Sequence, residues 1–301
     1  MNILVRRIGA LGDVVLVTPV VQRLHTAFPE AEITVQTCYP DVFLGNPCVA
    51  QRVGPDATIG VLQPLGDDPA SLALYHEDGR VTGIDRFVDL DLAYEKRPGM
   101  HIVEAFMLEA FGEPGHPEGW QQTLHFPRER VFPATSSQKY VAVHAAKAGW
   151  VSRTLPSSTW LAVIDGLQQN GLCPILVGTE QDDIACSALR FLVPDIHGQA
   201  RLIASCACYV GSDSGLLHVA GATDTPIVGV FTCVRPEYRL PWRHGVLGWQ
   251  CEAVVPDLPC VGCQERAPVP TTIEVCERGA AVCATSVDAM AILAAVMRAV
   301  G

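Results

Sequence analysis

Cys208-Tyr209-Val210-Gly211-Ser212-Asp213-Ser214-Gly215-Leu216-Leu217-His218 reads as a strand, a glycine turn and the start of a helix. Gly9-Ala10-Leu11-Gly12-Asp13 repeats the layout near the N-terminus, directly after the apolar run Ile3-Leu4-Val5. Strand, glycine turn and helix together aim backbone N–H groups at an anion, most often a phosphate. One such turn carries little weight. Two of them, one in each half and each holding an aspartate, predict two α/β domains that face one cleft.

After the first turn, Val14, Val15, Val17, Val20, Val21 and Leu24 read as a helix packed on a sheet. Pro19 is either its first-turn residue after a Thr18 cap or a kink in a helix begun at Asp13. Ile33-Thr34-Val35 is the next strand, so the opening is a β-α-β unit. Residues 38–70 give no clear assignment; 87–90 reads as a strand and 101–111 as a helix ended by Gly112. Further on, 140–144, 175–178, 208–210 and 227–231 read as strands, and 160–169, 182–192 and 216–222 as helices. That alternation predicts a doubly wound, Rossmann-like parallel sheet. Several prolines and glycines within 113–138 place the boundary there, between domains 1–136 and 137–301. A closing helix over 288–300 is capped by Ser286 or Asp288.

The 301 residues suffice for two α/β cores, and the hydrophobic fraction of 49% against 18% charged residues marks a globular chain. No apolar run reaches the roughly 18 residues of a membrane span, and no leader pattern opens the sequence. A cytoplasmic protein is the expectation, with at most peripheral membrane contact. Net charge is −11, with 10 basic and 18 acidic side chains in residues 1–136 and 11 and 14 in residues 137–301. That balance argues against nucleic acid, which needs a basic footprint, and against a strongly phosphorylated acceptor near the N-terminal half.

Asp213, Ser214, Gly215 and His218 are the first candidates for chemistry. N–H groups at Ser214, Gly215 and Leu216 would face a diphosphate, and His218 lies one turn further on. Asp213, being negative, serves either as a helix cap or as an acceptor for sugar hydroxyls. Asp13, beside Gly9 and Gly12, is either a cap or a general base for an attacking hydroxyl. Lys147 and Arg153 sit in a loop after a strand and are either solvated charges or cations that neutralise a departing diphosphate. Asp182 is a cap or a ribose contact.

Twelve cysteines without a secretion signal are not expected to form structural disulfides. Cys38, Cys48, Cys173, Cys186, Cys206, Cys208 and Cys233 are scattered and read as inert thiols. Five more fall in the Pro/Gly-rich segment 251–283. Cys260 and Cys263 form a C-x2-C knuckle followed by Cys276 and Cys283, a set of four for a structural zinc or, in the same geometry, iron. Cys251 is a spare or a substitute, and reduced thiols are the alternative.

Three motifs together resemble glycosyltransferase family 9, which contains the ADP-heptose heptosyltransferases. They are Gly9 to Asp13 through Pro19, the spacing of Arg153-Thr154-Leu155-Pro156 to Trp160, and Asp213 to His218 with Ala220. The likeness covers nearly the whole chain and is thinnest over 38–135. It implies a GT-B fold, an acceptor-side N-terminal domain, a nucleotide-sugar C-terminal domain, and inverting transfer without a catalytic metal. It implies that Asp13 is the general base, that Arg153 takes the family's lysine position by the diphosphate, and that Asp213 contacts the donor sugar. Ser214, Gly215 and His218 would lie on the diphosphate side. Arginine for lysine keeps the charge and changes the geometry, and the connection from 198 to 208 is short for the family. One branch, which modifies autotransporter adhesins, holds iron on cysteines. The activity expected is heptose transfer from ADP-heptose to a hydroxyl of a protein or of the lipopolysaccharide core. The rivals are another nucleotide sugar, a small-molecule acceptor, or a catalytically silent module that binds a nucleotide or a partner.

Overall fold

Apolar runs such as Ile3-Leu4-Val5 and Val141-Ala142-Val143 are buried throughout their length, as strands covered on both faces must be. The computed structural model describes residues 1–62, 71–132, 137–145, 151–265, 276, 278 and 281–301. The first half runs β1 (Asn2–Arg6), α1 (Leu11–Val15), α2 (Thr18–Ala27), β2 (Glu32–Gln36), β3 (Gln51–Val53) and β4 (Thr58–Leu62). It continues with β5 (Ser71–Tyr75), β6 (Val81–Ile84), β7 (Arg86–Asp89) and α3 (Ile102–Phe111). The second half runs β8 (Tyr140–His144), α4 (Ser157–Gln169), β9 (Cys173–Gly178), β10 (Leu189–Leu192), α5 (Ile196–Ile203), β11 (Cys208–Ser212) and α6 (Gly215–Gly221). It ends with β12 (Ile227–Val230), β13 (Trp242–Arg243), β14 (Val246–Leu247), β15 (Cys251–Val254), α7 (Val282–Thr285) and α8 (Ala289–Val300).

Two parallel sheets result. The first has the order β3-β2-β1-β7 and the second β10-β9-β8-β11-β12-β15. Register is set by the apolar runs: Ile3 lies opposite Ile33, and Val143 opposite Leu176 and Val210. The unassigned stretch of the first half contributes a small antiparallel sheet, β4-β5-β6, which packs Leu74 and Ile84 on Leu4 and Ala57. The helix expected at 14–24 is broken instead into α1 and α2, with Pro19 in the first turn of α2. Thr18 is not its cap; its hydroxyl donates to the Val15 carbonyl at 2.8 Å and accepts from Thr123 N at 2.9 Å.

One expected helix, 182–192, is absent. A single 3-10 turn spans Glu180–Asp182, and the rest ends in β10. The open edge of β9 offers Leu189 to Leu192 a backbone ladder, which outweighs a helical spacing of apolar residues. Gln199 on α5 secures the join by donating to the carbonyls of Gly178, Phe191 and Val193. The connection from 198 to 208 is therefore filled by α5, capped by Asp195, whose carboxylate accepts from His197 N at 3.1 Å. Asp288 caps α8 by accepting from Met290 N at 2.9 Å.

One core cluster crosses between the halves: Val14, Val15, Leu24 and Phe106 belong to the same buried set as Ile203, Leu216, Leu217 and Phe231. The crossing is made by α1 lying against α6. Arg243, almost fully buried, donates to the carbonyls of Ala220, Gly221 and Thr225, satisfying the C-terminal end of α6. Nearby, His101 bonds the Leu240 carbonyl at 2.9 Å, and Trp120 meets Trp242 edge-on at 5.1 Å between centroids. No helix of the described residues is long and apolar enough to cross a membrane.

Candidate active site

Asp13 lies in the first turn of α1, where Ala10 rather than Asp13 is the cap residue. Its Oδ2 is 2.5 Å from Arg7 Nη2 and 3.4 Å from the Tyr94 hydroxyl. Arg7 continues past the end of β1, and its guanidinium is fixed by the Leu90 carbonyl at 3.0 Å and Glu95 at 3.0 Å. It lies over the rings of Tyr94 and Phe106, 5.1 and 5.5 Å from their centroids. Burial opposes the Arg7 charge, yet Asp13 and Glu95 outweigh it and hold the guanidinium pKa above its usual value. Burial, reinforced by Asp13, pushes the Tyr94 phenol up, so it stays a hydrogen-bond donor.

At the second turn the cap position belongs to Ser214, not Asp213. Asp213 is buried and ion-paired with Arg153 at 3.3 Å. Burial works against the Arg153 charge, and Asp213 more than restores it. Ser214 Oγ is hydrogen-bonded to His144 Nδ1 at 3.0 Å, with the Tyr209 hydroxyl 3.4 Å from the same nitrogen. His144 Nε2 lies 3.5 Å from Asp182, whose carboxylate also accepts from the backbone N and hydroxyl of Thr179 at 2.9 and 3.1 Å. Asp182 thus closes the capping box of its own turn from the third position, with Thr179 as the cap, and faces the Ser214 network through His144. Lys147 lies outside the described residues.

The two turns touch. A Cβ on Gly12 would stand 2.5 Å from His218 Cδ2 and 3.4 Å from Gly215 Cα, and one on Gly215 would stand 3.0 Å from Leu11. Only glycine at both positions lets α1 and α6 approach so closely. His218 is buried at this contact, and its carbonyl accepts from Gln122 at 3.1 Å. Burial lowers its pKa despite Asp213 and Asp13, so the ring is neutral. Arg239 reaches the same place from the other half, its guanidinium 5.0 Å from the Tyr94 centroid. The structure therefore gathers Asp13, Asp213, Ser214, Gly215, His218 and Arg153 at one junction, with Gly12 as the contact point. Sequence reasoning missed Arg7, Tyr94, Glu95, His144, Tyr209 and Arg239. Arg7 alone left a signal: a basic residue closing an apolar strand six positions before Asp13.

Two of the four expected cysteines lie beside a fifth, Cys233. Cys233 and Cys283 are buried together with Val234, and Leu258 and Cys263 pack against them. Burial, then Cys233, Cys263 and Cys276, push the Cys283 thiol up to about 11. Cys233, set aside above as inert, thus belongs to the cluster that holds two members of the proposed set, Cys263 and Cys283. Thiols are suitable donors for zinc or iron. Among the described residues, however, no group of three or more Cys, His, Asp or Glu side chains is arranged to hold a metal ion.

The family model for glycosyltransferase family 9 (heptosyltransferase) matches residues 89–266. Lipopolysaccharide heptosyltransferase 3 of Escherichia coli is 25% identical over 147 residues, covering 42% of this chain and 43% of that protein. The aligned part is thus under half the length of this relative. Among solved structures, the iron-containing dodecameric heptosyltransferase TibC in complex with ADP-D-beta-D-heptose superimposes with a TM-score of 0.70. It is 13% identical and covers 99% of this chain and 76% of TibC, a protein of enterotoxigenic E. coli H10407. ADP-heptose lps heptosyltransferase II of E. coli gives 0.63 at 16% identity, covering 100% of this chain and 98% of its own. At such identities these likenesses speak for the fold, the two-domain GT-B arrangement. With the family model spanning more than half of the sequence, the chain belongs to glycosyltransferase family 9, the heptosyltransferase family.

Proposed function

We propose that the protein moves a heptose from ADP-heptose to an acceptor hydroxyl, with inversion at the anomeric carbon. The observation that carries this reading is the contact of the two glycine turns, which sets Asp13 and the Arg153–Asp213 pair at one junction between the sheets. Asp13 takes the hydroxyl proton as the acceptor oxygen bonds to the anomeric carbon. The bond from that carbon to the diphosphate oxygen breaks in the same step, and ADP leaves as an anion. Arg153 neutralises it, aided by Lys147 and the backbone at Ser214 and Gly215, while neutral His218 lines the diphosphate side. Residues 1–136 take the acceptor and residues 137–301 the nucleotide sugar, with Asp182 on the nucleotide side of the His144 network.

Arg153 is engaged with Asp213 in the structure, so donor binding is an exchange. The guanidinium turns to the diphosphate as Asp213 turns to hydroxyls of the sugar. The family match and the ADP-heptose carried by TibC support this donor. The acceptor is a glycan hydroxyl, as in a lipopolysaccharide core, or a protein hydroxyl. A structural zinc or iron on Cys260, Cys263, Cys276 and Cys283 is supported by the iron of TibC. It would hold the loop and take no part in transfer.

Asp13→Asn tests the assignment. The variant is expected to bind ADP-heptose with unchanged affinity by calorimetry and to lose at least about 100-fold in transfer, the scale of a general base. Retained transfer, or lost donor binding, refutes the role. In a panel of ADP, UDP, GDP and CDP the expected preference is ADP; preference for another nucleotide overturns the donor.

A further inference from the structure

Arg153 sits on a single 3-10 turn, Val151–Arg153, too short to fix a side chain by itself. Its neighbour Ser152 is buried and held from three sides. The Ser152 carbonyl accepts from the Thr232 hydroxyl at 2.6 Å and from the Cys283 thiol at 3.7 Å. The Ser152 hydroxyl accepts from Gln264 Nε2 at 3.2 Å. The other end of that amide, Gln264 Oε1, accepts the Cys233 thiol at 3.0 Å, and Gln264 N bonds the Cys233 carbonyl at 3.2 Å. Cys233 also bonds the Arg153 guanidinium. Two residues that bracket the cation are therefore tied to the end of β12, to the turn Cys263–Glu265 and to α7.

We propose that Gln264 and Cys233 are positioning residues for Arg153, and that the turn Cys263–Glu265 and α7 serve the donor site by holding the turn Val151–Arg153. The inference rests on the reading of Arg153 as the diphosphate cation. An amide is the side chain the place requires, since it offers an acceptor to the thiol and a donor to the serine hydroxyl at once. Glutamate would lose the donor, and leucine would lose both ends. Arg153 must exchange between Asp213 and a diphosphate without leaving its plane of approach, and small displacements of such a group are costly to transfer. The bracket restrains the turn that carries the guanidinium. It also gives the thiols of this segment a purpose that does not depend on a metal.

The test uses the full-length protein with Gln264→Leu, Ser152→Ala, Arg153→Met and the double variant Gln264→Leu/Arg153→Met. ADP affinity is measured by calorimetry, and the Arg153 Nε–Hε resonance is followed by NMR, assigned by its absence in Arg153→Met. Gln264→Leu is expected to move that resonance and to weaken ADP binding roughly tenfold, the scale of one buried polar contact. It should raise KM for the donor with a smaller change in kcat, and add nothing on the Arg153→Met background. Ser152→Ala, which removes only one hydroxyl, is expected to reproduce the shift if Gln264→Leu folds poorly. An unmoved resonance in both variants overturns the proposal, as does an equal loss of ADP affinity with and without Arg153. Unchanged ADP affinity in Arg153→Met refutes the diphosphate role of Arg153 instead, and the resonance still decides the positioning.

Discussion

Arg7→Met removes the cation between Asp13 and Glu95 and leaves a side chain that still covers Tyr94 and Phe106. The bonds lost are those to Asp13 at 2.5 Å, Glu95 at 3.0 Å and the Leu90 carbonyl at 3.0 Å. Breaking a buried pair from one side costs about 3–5 kcal/mol. Here the stranded carboxylates keep 15% and 23% of their side-chain surface, so water relieves part of the penalty. About 3 kcal/mol is expected, or a fall in Tm of roughly 6 °C for a chain of this size. Urea unfolding at pH 7.5, followed by tryptophan fluorescence, measures it. A deficit below about 1 kcal/mol at pH 7.5 would show that Arg7 does not bind these carboxylates as described.

Gly12→Ala drives a methyl group into His218, which is buried and has no room to yield. The cost is about 1–3 kcal/mol; Gly119→Ala, with nothing within 4 Å of the added carbon, is the control, and equal Tm shifts would refute the close contact. Asp213→Ala frees Arg153, so free ADP should bind as well as or better than to the parent while the added affinity from the heptose disappears. Equal losses for both ligands would contradict a sugar contact. His101 is pushed down to about 3 by burial, although its bond to the Leu240 carbonyl opposes the shift. The unfolded chain therefore takes up that proton first, near pH 6.5, and stability present above 6.5 is lost as pH falls toward about 3. Between pH 7.5 and 5 this amounts to about 2 kcal/mol. His101→Asn keeps an acceptor for Val103 N and does not titrate, so its stability should fall by that much less over the same interval. Parallel acid profiles for parent and variant would exclude the histidine.

The glycine turns were legible because their reason is steric and local to few residues. Gly12 and Gly215 face each other, and no side chain fits at either place. Strands such as Val141-Ala142-Val143 were legible because burial on both faces demands unbroken apolar sequence. Residues 182–192 misled, because the edge of β9, 14 positions earlier in the chain, decided the matter and periodicity cannot see it. Tyr94 and Glu95 were hidden for the same reason: they reach Asp13 from 81 and 82 positions away, Tyr94 directly and Glu95 through Arg7. Cys233 looked inert by itself; its meaning comes from Gln264, 31 residues later. Spacing finds chemistry that lies within one turn, whereas groups that position it come from wherever the sheets bring the chain back.

The charge of the junction differs from that of the domain it adjoins. Residues 1–136 are strongly acidic, yet where the turns meet Arg7 answers Asp13 and Glu95, Arg153 answers Asp213, and Arg239 lies over Tyr94. Three arginines stand against three carboxylates. A sugar diphosphate entering this balanced set adds negative charge, which is tolerable only if a cation is released from an existing partner. The Arg153–Asp213 pair can do this without uncovering a buried charge, because the carboxylate that loses the arginine gains sugar hydroxyls as donors. ADP without a sugar offers the arginine a partner and offers Asp213 none. On the proposed reading of this site, the pair would favour the complete donor over the nucleotide and would re-form as ADP leaves. Domain-wide acidity is thus a weak guide to the acceptor, whose charge is judged by the arginines and carboxylates it meets at this junction.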